Sequence, residues 1–126
     1  MKKILVAMAL LACSSAAVAQ SYAKGQWVLA RANDGSTHYY PGVVVAASAT
    51  SVTIKYDDGT TETRPASQVR PYDWRVGSRL TCIWAPDGKP YPAIITRMGA
   101  DGVSLTVRYL DDNSSAQVAT GQCYAN

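Results

Sequence analysis

A tandem repeat of about fifty residues is the feature that most restricts how this chain can fold. When glycines and tyrosines are aligned, residues 25–72 match residues 77–124. Each copy has an Asp-Gly pair, then Tyr-Pro before an apolar run, then an alternating segment ending in tyrosine, with two aspartates soon after. A unit of this size buries only about 60% of its unfolded surface, so two packed copies are expected to stabilise each other.

Both copies have the sequence pattern of β-strands. The segments "VTIKY" (52–56) and "LTVRY" (105–109) alternate apolar and polar residues, which is the period of a half-buried strand. The runs "VVVAA" (43–47) and "AIITR" (93–97) are continuous and rich in β-branched residues, so we expect strands buried at a barrel centre. No helical period follows residue 20. The predicted fold class is all-β, with four longer strands and one short closing strand per copy.

The turns and the joint between the copies support this division. Asp34-Gly35 and Asp58-Gly59 are strong hairpin signals, because glycine accepts the positive φ that such turns need. Residues 71–76 join the copies and include Trp74. We expect Trp27 and Trp74 to pack in a core or between the copies. The prediction is therefore two tandem small barrels, residues 25–72 and residues 77–124.

The first 19 residues have the pattern of a secretory signal peptide. Lysines at positions 2 and 3 precede an apolar run over 4–12, and Ala17-Val18-Ala19 is a small-x-small cleavage site. This predicts an exported protein, periplasmic or secreted. An alternative is open, because Leu10-Leu11-Ala12-Cys13 resembles a lipoprotein signal in which Cys13 would be lipidated and would anchor the chain to a membrane. We favour cleavage after Ala19.

Export also changes the charge argument. The chain has 12 basic and 9 acidic residues, and two of the basic ones, Lys2 and Lys3, lie in the signal peptide. The remaining chain is nearly neutral, which argues against nucleic acid as a partner, because phosphate binding normally requires a net positive domain. The series Arg64, Arg70, Arg75 and Arg79 keeps nucleic-acid binding open as the alternative function. Such a series is more often a solvated face.

Two cysteines remain after the signal peptide, Cys82 and Cys123. An even number in a small exported domain predicts one disulfide, and the first and last strands of a small barrel are neighbours. The sequence has no CxxC motif, no nucleophile motif and no metal-spaced cluster, and His38 is the single histidine. We therefore expect no enzyme activity, no cofactor and no metal.

The repeated pattern resembles the Tudor domain, an SH3-like barrel. The resemblance rests on G-x-x-V/L-x-A/C, the Asp-Gly pair, the Tyr-Pro step, the β-branched run and V-x-I/V-x-Y, and it covers almost all of both copies. Tudor domains hold methylated lysine or arginine in an aromatic cage closed by an acid. A methylated ammonium keeps its charge but loses hydrogen bonds to water, so aromatic faces attract it.

Carried over residue by residue, the resemblance implies a cage in the second copy. Its members would be Trp84, Tyr91, Tyr109 and Asp111, although Leu110 interrupts the turn and could move the acid by one position. If these rings form a cage, we expect all three to be partly exposed. The competing reading is that they simply pack, since large rings favour half-buried strands.

The first copy offers a weaker site. The matching positions there are Ala32, Tyr40, Tyr56 and Asp58, so the tryptophan is missing, and Tyr39 or Trp27 is the candidate substitute. The leading hypothesis is an exported, non-enzymatic binding module. Its partner would be a protein or peptide segment, or a methylated or cationic group.

The processing hypothesis can be tested directly. With cleavage after Ala19, metabolic labelling with a fatty acid should leave the exported protein unlabelled. Label that disappears on Cys13→Ser would establish the lipoprotein alternative.

Overall fold

A computed structural model describes residues 21–126, which form two five-stranded antiparallel sheets one after the other. The predicted signal peptide (1–19) and Cys13 lie outside the described residues. Within residues 21–126, no helix has the length and apolar character needed to cross a bilayer. The prediction of an all-β chain with two tandem small barrels is confirmed.

Each sheet has four longer strands and one short closing strand, as predicted, and a 3-10 turn precedes the closing strand. The first contains β1 (Trp27–Arg31), β2 (Tyr39–Ala47), β3 (Ser51–Lys55), β4 (Thr61–Pro65), η1 (Ala66–Gln68) and β5 (Val69–Pro71). The second contains β6 (Arg79–Trp84), β7 (Lys89–Met98), β8 (Ser104–Tyr109), β9 (Ser115–Ala119), η2 (Thr120–Gln122) and β10 (Cys123–Tyr124). Their orders are β4-β3-β2-β1-β5 and β10-β6-β7-β8-β9, so the closing strand pairs with the first strand in both.

The repeat extends to local backbone irregularities. Gly35 and Gly59 have φ values of +81° and +89°, as expected of the predicted Asp-Gly turns. The register between β2 and β3 shifts between Val44 and Ala46, and the register between β7 and β8 shifts between Ile95 and Arg97. A bulge of this kind bends and twists a strand. Both sheets are therefore bent at the same place.

The expectation that "VVVAA" and "AIITR" are continuously buried is wrong. Val44 is buried, whereas Val43 and Val45 on either side are only half-buried, and Ile94 beside buried Ile95 behaves likewise. Successive side chains of a strand point to opposite faces, and each of these sheets covers its core with one face. The outward valines line a small groove together with Trp27 and with Val103 of the second barrel.

The two barrels also pack against each other. Val28 and Ala30 face the core of the first barrel, whereas Leu29 between them is fully buried in the same cluster as Trp74 and the core of the second barrel. Tyr72 lies between Trp27 and Trp74, with ring centroids 5.5 and 5.7 Å away. The joint between the barrels is therefore apolar, and both tryptophans contribute to packing there.

The predicted disulfide is confirmed: Cys82 and Cys123 are bonded. They lie directly opposite each other where β10 pairs with β6. Only two residues of β10 pair with β6, so the covalent link is a large part of what closes this sheet.

Replacing both cysteines by alanine should lower the free energy of unfolding by about 4 kcal/mol, because the bond restricts a long loop of the unfolded chain. Urea denaturation without reductant, with wild type as reference, measures this loss. Mass spectrometry of unreduced wild-type protein should show no free thiol at either position. Two free thiols would contradict the bond.

Candidate ligand-binding site

The four residues predicted for the second barrel line one cavity of about 150 Å³, together with Asp112 and Ser114. Trp84 ends β6, Tyr91 stands near the start of β7 and Tyr109 ends β8. Because neighbouring strands run antiparallel, these three positions meet at one edge of the sheet. Asp111 follows in the next turn. The sheet order thus brings together residues that are up to 27 positions apart.

The three rings are arranged edge to face. The ring centroids of Trp84 and Tyr91 are 6.3 Å apart at an interplanar angle of 85°. Those of Tyr91 and Tyr109 are 6.4 Å apart at 90°. These distances and angles are favourable for aromatic pairs. The Tyr91 ring is therefore nearly perpendicular to both the Trp84 ring and the Tyr109 ring.

The rings differ in exposure. Trp84 is 37% exposed and Tyr91 is half-buried, but Tyr109 is only 2% exposed, in contrast to the expectation that all three rings would be partly exposed. The Tyr109 hydroxyl donates a hydrogen bond to the carbonyl of Ile83 at 3.0 Å. Tyr109 therefore belongs to the core as well as to the cavity, because its position at the end of a buried strand places it beneath the other two rings.

Two carboxylates lie at the rim. Asp112 accepts hydrogen bonds from the hydroxyl and the backbone N–H of Ser114, at 2.7 and 2.9 Å, and these bonds lower the pKa of Asp112. Asp111 is exposed beside it. Leu110, which interrupts the repeated turn pattern, donates its N–H to the carbonyl of Pro92. The turn continues through Asn113, which has a φ of 63°. This turn brings both Asp111 and Asp112 to the cavity, so the acid is not simply moved by one position.

Sequence reasoning missed Asp87, which holds the Tyr91 ring in place. The Tyr91 hydroxyl donates a short hydrogen bond to the Asp87 carboxylate. This bond is the main cause of the lowered pKa of Asp87 and of the raised pKa of Tyr91. In the sequence, Asp87 stands out only as the aspartate of the second copy's Asp-Gly pair. Its place four residues before a tyrosine in a hairpin was the available signal.

The weaker site predicted in the first barrel also corresponds to a cavity. Tyr40, Tyr56 and Asp58 line a space of about 450 Å³; the other lining residues are Ala32, Asp57, Thr60, Glu62, Gly121 and Gln122. The Tyr56 hydroxyl donates to Glu62 at 2.9 Å, and burial together with this bond raises the pKa of Tyr56. Glu62 and the two residues from the second barrel had not been predicted.

Neither proposed substitute for the missing tryptophan lies in that cavity. Tyr39 lies beneath the Arg70 guanidinium, whose central carbon is 4.0 Å from the ring centroid. Trp27 packs on Tyr72 at the joint between the barrels. Neither side chain is among those that line the cavity, so neither takes the place of the missing tryptophan.

Three of the four arginines proposed for nucleic-acid binding make contacts within the protein, and Arg75 does so only through a 3.4 Å hydrogen bond to the carbonyl of Asp73. Arg64 donates to the carbonyl of Arg31 at 3.0 Å and also binds the side chain of Gln68. Arg70 covers Tyr39 and donates to the carbonyl of Asn126 at 3.1 Å. Arg75 and Arg79 are exposed. The series therefore does not form one continuous basic surface.

The single histidine has a packing role. His38 stacks on Tyr124, with ring centroids 3.7 Å apart and an interplanar angle of 16°. Among residues 21–126, no group of three or more His, Cys, Asp or Glu side chains is placed to hold a metal ion.

Comparison with known proteins agrees with this fold. Residues 25–71 match the family model of the DNA repair protein Crb2 Tudor domain. The Crb2 tandem tudor domains have a similar structure, with a TM-score of 0.56 at 14% identity over 85% of this chain and 82% of that one. No curated protein matches the chain. The first barrel thus matches a Tudor family model, and residues 21–126 have the fold of tandem Tudor domains.

Two other solved structures are similar at lower scores. The Arabidopsis thaliana AGDP1 AGD34 structure has a TM-score of 0.39 at 11% identity, over 82% of this chain and 81% of that one. The SHH1 SAWADEE domain in complex with an H3K9me3 peptide has a TM-score of 0.36 at 14% identity, over 80% of this chain and 97% of that one.

The exposures of Trp84 and Tyr109 predict that truncation destabilises the protein only slightly at Trp84 and strongly at Tyr109. Trp84→Ala should lower the free energy of unfolding by no more than about 1 kcal/mol, because the ring is partly solvated and Ala32 stands at the matching place in the first barrel. Tyr109→Ala should cost about 3 to 5 kcal/mol, because it empties a core position. Urea denaturation of both variants measures the difference. Loss of the second barrel on Trp84→Ala would assign that ring to packing.

Proposed function

We propose that this chain is a non-enzymatic binding module and that the second-barrel cavity holds a methylated or otherwise cationic group carried by a peptide. The observation that carries the proposal is the set of three rings next to Asp111, in which the Tyr91 ring stands nearly perpendicular to both of the others. Ring faces attract a cation, and most strongly where water is excluded. A neighbouring carboxylate adds charge attraction.

The size of the cavity supports this ligand class. At about 150 Å³ it matches apolar cavities that accept a ring-sized guest, so it has room for a methylated ammonium head but not for a folded domain. Trp84 and Tyr91 are the accessible walls, and Tyr109 forms the floor. The remainder of a peptide would have to lie on the surface outside.

The ionisable groups at the cavity suit binding better than proton transfer. The pKa values of Asp87 and Asp112 are lowered, chiefly by hydrogen bonds to their carboxylates. Those of Tyr91 and Tyr109 are raised, by the bond to Asp87 and by burial respectively. Every one of these shifts moves the group away from neutral pH. General acid–base catalysis works best with a pKa near the working pH, whereas a fixed negative rim favours a cation.

Predicted export restricts the source of the ligand. A signal peptide over residues 1–19 would deliver the barrels to the periplasm or outside the cell, away from chromatin. The peptide or methylated amine would therefore be one that is present in that compartment. Nucleic acid remains the alternative partner, with Arg75 and Arg79 as its exposed contacts.

Nuclear magnetic resonance titration with N-acetyl-trimethyllysine amide tests the proposal. Saturable shifts should appear at the Trp84 indole and at the amides of 111–114 in the mature protein, and Trp84→Ala should abolish them. Asp111→Asn should weaken binding several-fold, because it removes a charge at the rim. Asp73→Asn is the matched control, since Asp73 is exposed in the joint and away from the cavity.

Three results would contradict the proposal. One is the absence of saturable shifts at the cavity, and another is equal affinity of wild type and Trp84→Ala. The third is salt-sensitive binding to a DNA oligonucleotide that Arg75→Ala with Arg79→Ala removes, because this would favour the alternative.

A further inference from the structure

The cavity of the first barrel is shared between the two barrels. Tyr40, Tyr56 and three acidic residues form its first-barrel side, and Gly121 and Gln122 of η2 contribute from the second barrel. The second-barrel cavity has no such contribution, because all its lining residues come from its own barrel. The two cavities therefore differ in construction although the sequence repeats.

A close contact holds the second-barrel residues in place. The Asp57 carboxylate accepts hydrogen bonds from the Gly121 N–H at 2.7 Å and from the Thr120 hydroxyl at 3.1 Å. A Cβ added to Gly121 would lie 2.1 Å from Oδ1 of Asp57. Only a glycine permits this approach, and the requirement comes from the neighbouring barrel rather than from a positive φ.

The rest of the C-terminal segment fixes the same arrangement. Ala125 and Tyr39 exchange two backbone hydrogen bonds, at 2.7 and 3.1 Å. Tyr124 stacks on His38, and Thr37 donates to Asn126 at 3.0 Å. Among residues 21–126, every hydrogen bond between residues 25–71 and residues 79–126 involves residues 120–126. This segment, residues 120–126, is called the C-terminal clasp below.

The lining of the shared cavity differs chemically from that of the second-barrel cavity. Ala32 stands where the other has Trp84, so tyrosine rings enclose a guest from fewer sides. The shared cavity instead has three carboxylates, those of Asp57, Asp58 and Glu62.

One oxygen of each carboxylate is hydrogen-bonded within the part of the chain that the structure describes: Oδ2 of Asp57, Oδ1 of Asp58 and Oε1 of Glu62. The second oxygen of each makes no hydrogen bond among residues 21–126.

We propose that this shared cavity is a second binding site and that it takes a cation with several N–H donors, namely an arginine side chain of a peptide. A guanidinium pairs with carboxylates through two parallel hydrogen bonds and stacks on aromatic rings such as Tyr40 and Tyr56. A trimethylated ammonium has no N–H donor, so it gains less from the carboxylates and more from the fuller aromatic enclosure of the other cavity. The volume of about 450 Å³ also suits the longer, planar group.

Titration of the mature protein with N-acetyl-arginine amide tests this site. The arginine probe should shift the amides of Tyr40, Gly121 and Gln122, and it should bind there about tenfold more tightly than N-acetyl-trimethyllysine amide, which corresponds to one lost charged hydrogen bond. Glu62→Gln should weaken the arginine probe by a similar factor. Asp73→Asn removes the same charge outside the cavity and should leave the affinity unchanged.

Gly121→Ala examines the contribution of the second barrel. The added methyl group collides with Asp57, so the arginine probe should bind more weakly while the strand amides of both barrels keep their resonance positions. Trp84→Ala should bind the arginine probe like wild type. Arginine binding without any trimethyllysine binding would therefore refute the function proposed for the second barrel and support this site.

Any one of three results would overturn the inference. The first is that the arginine probe shifts no resonance around Tyr40 and Gln122. The second is that Glu62→Gln and Asp73→Asn weaken binding equally, which would indicate attraction by net charge alone. The third is that Gly121→Ala binds the probe as tightly as wild type, which would show that the second barrel contributes nothing to the site.

Discussion

The pairing of Cys123 with Cys82 is the interaction on which the arrangement of both barrels depends. It attaches the two-residue strand β10 to β6 and so closes the second sheet. The next residues along the chain, Tyr124 and Ala125, dock on the first barrel. A strand this short gains little from backbone pairing alone. The covalent link therefore supports both the closure of one barrel and the position of the C-terminal clasp against the other.

The first barrel closes without a disulfide. Its short strand β5 pairs with β1 over three residues, and the hydroxyl of buried Tyr22 donates to the carbonyl of Val69 at 2.8 Å. Leu29 is buried from the other side by Trp74 and the core of the second barrel. The first barrel is thus closed partly by its neighbour, which is consistent with the small core that one fifty-residue unit offers.

Much of this architecture could be predicted because its signals are local. Alternation indicated the strands, and Asp-Gly pairs indicated the turns. The grouping of Trp84, Tyr91 and Tyr109 came instead from the resemblance to the Tudor domain. The burial of Val43 and Val45 was misjudged, because a continuous apolar run does not show which face of a sheet is outside. The contact of Asp57 with Gly121 spans 64 positions and has no counterpart in the repeat, so no periodicity could indicate it.

The C-terminal clasp also restricts which ligand could reach both of the proposed sites at once. Because the clasp and the apolar joint hold the barrels together on two sides, the two cavities keep a fixed separation. A second binding event on the same ligand then gains from effective concentration only if the spacing between its cations matches that separation. A single arginine or a single methylated ammonium would gain nothing from the tandem arrangement. This fixed separation comes from the apolar joint and from residues 120–126, and not from either cavity.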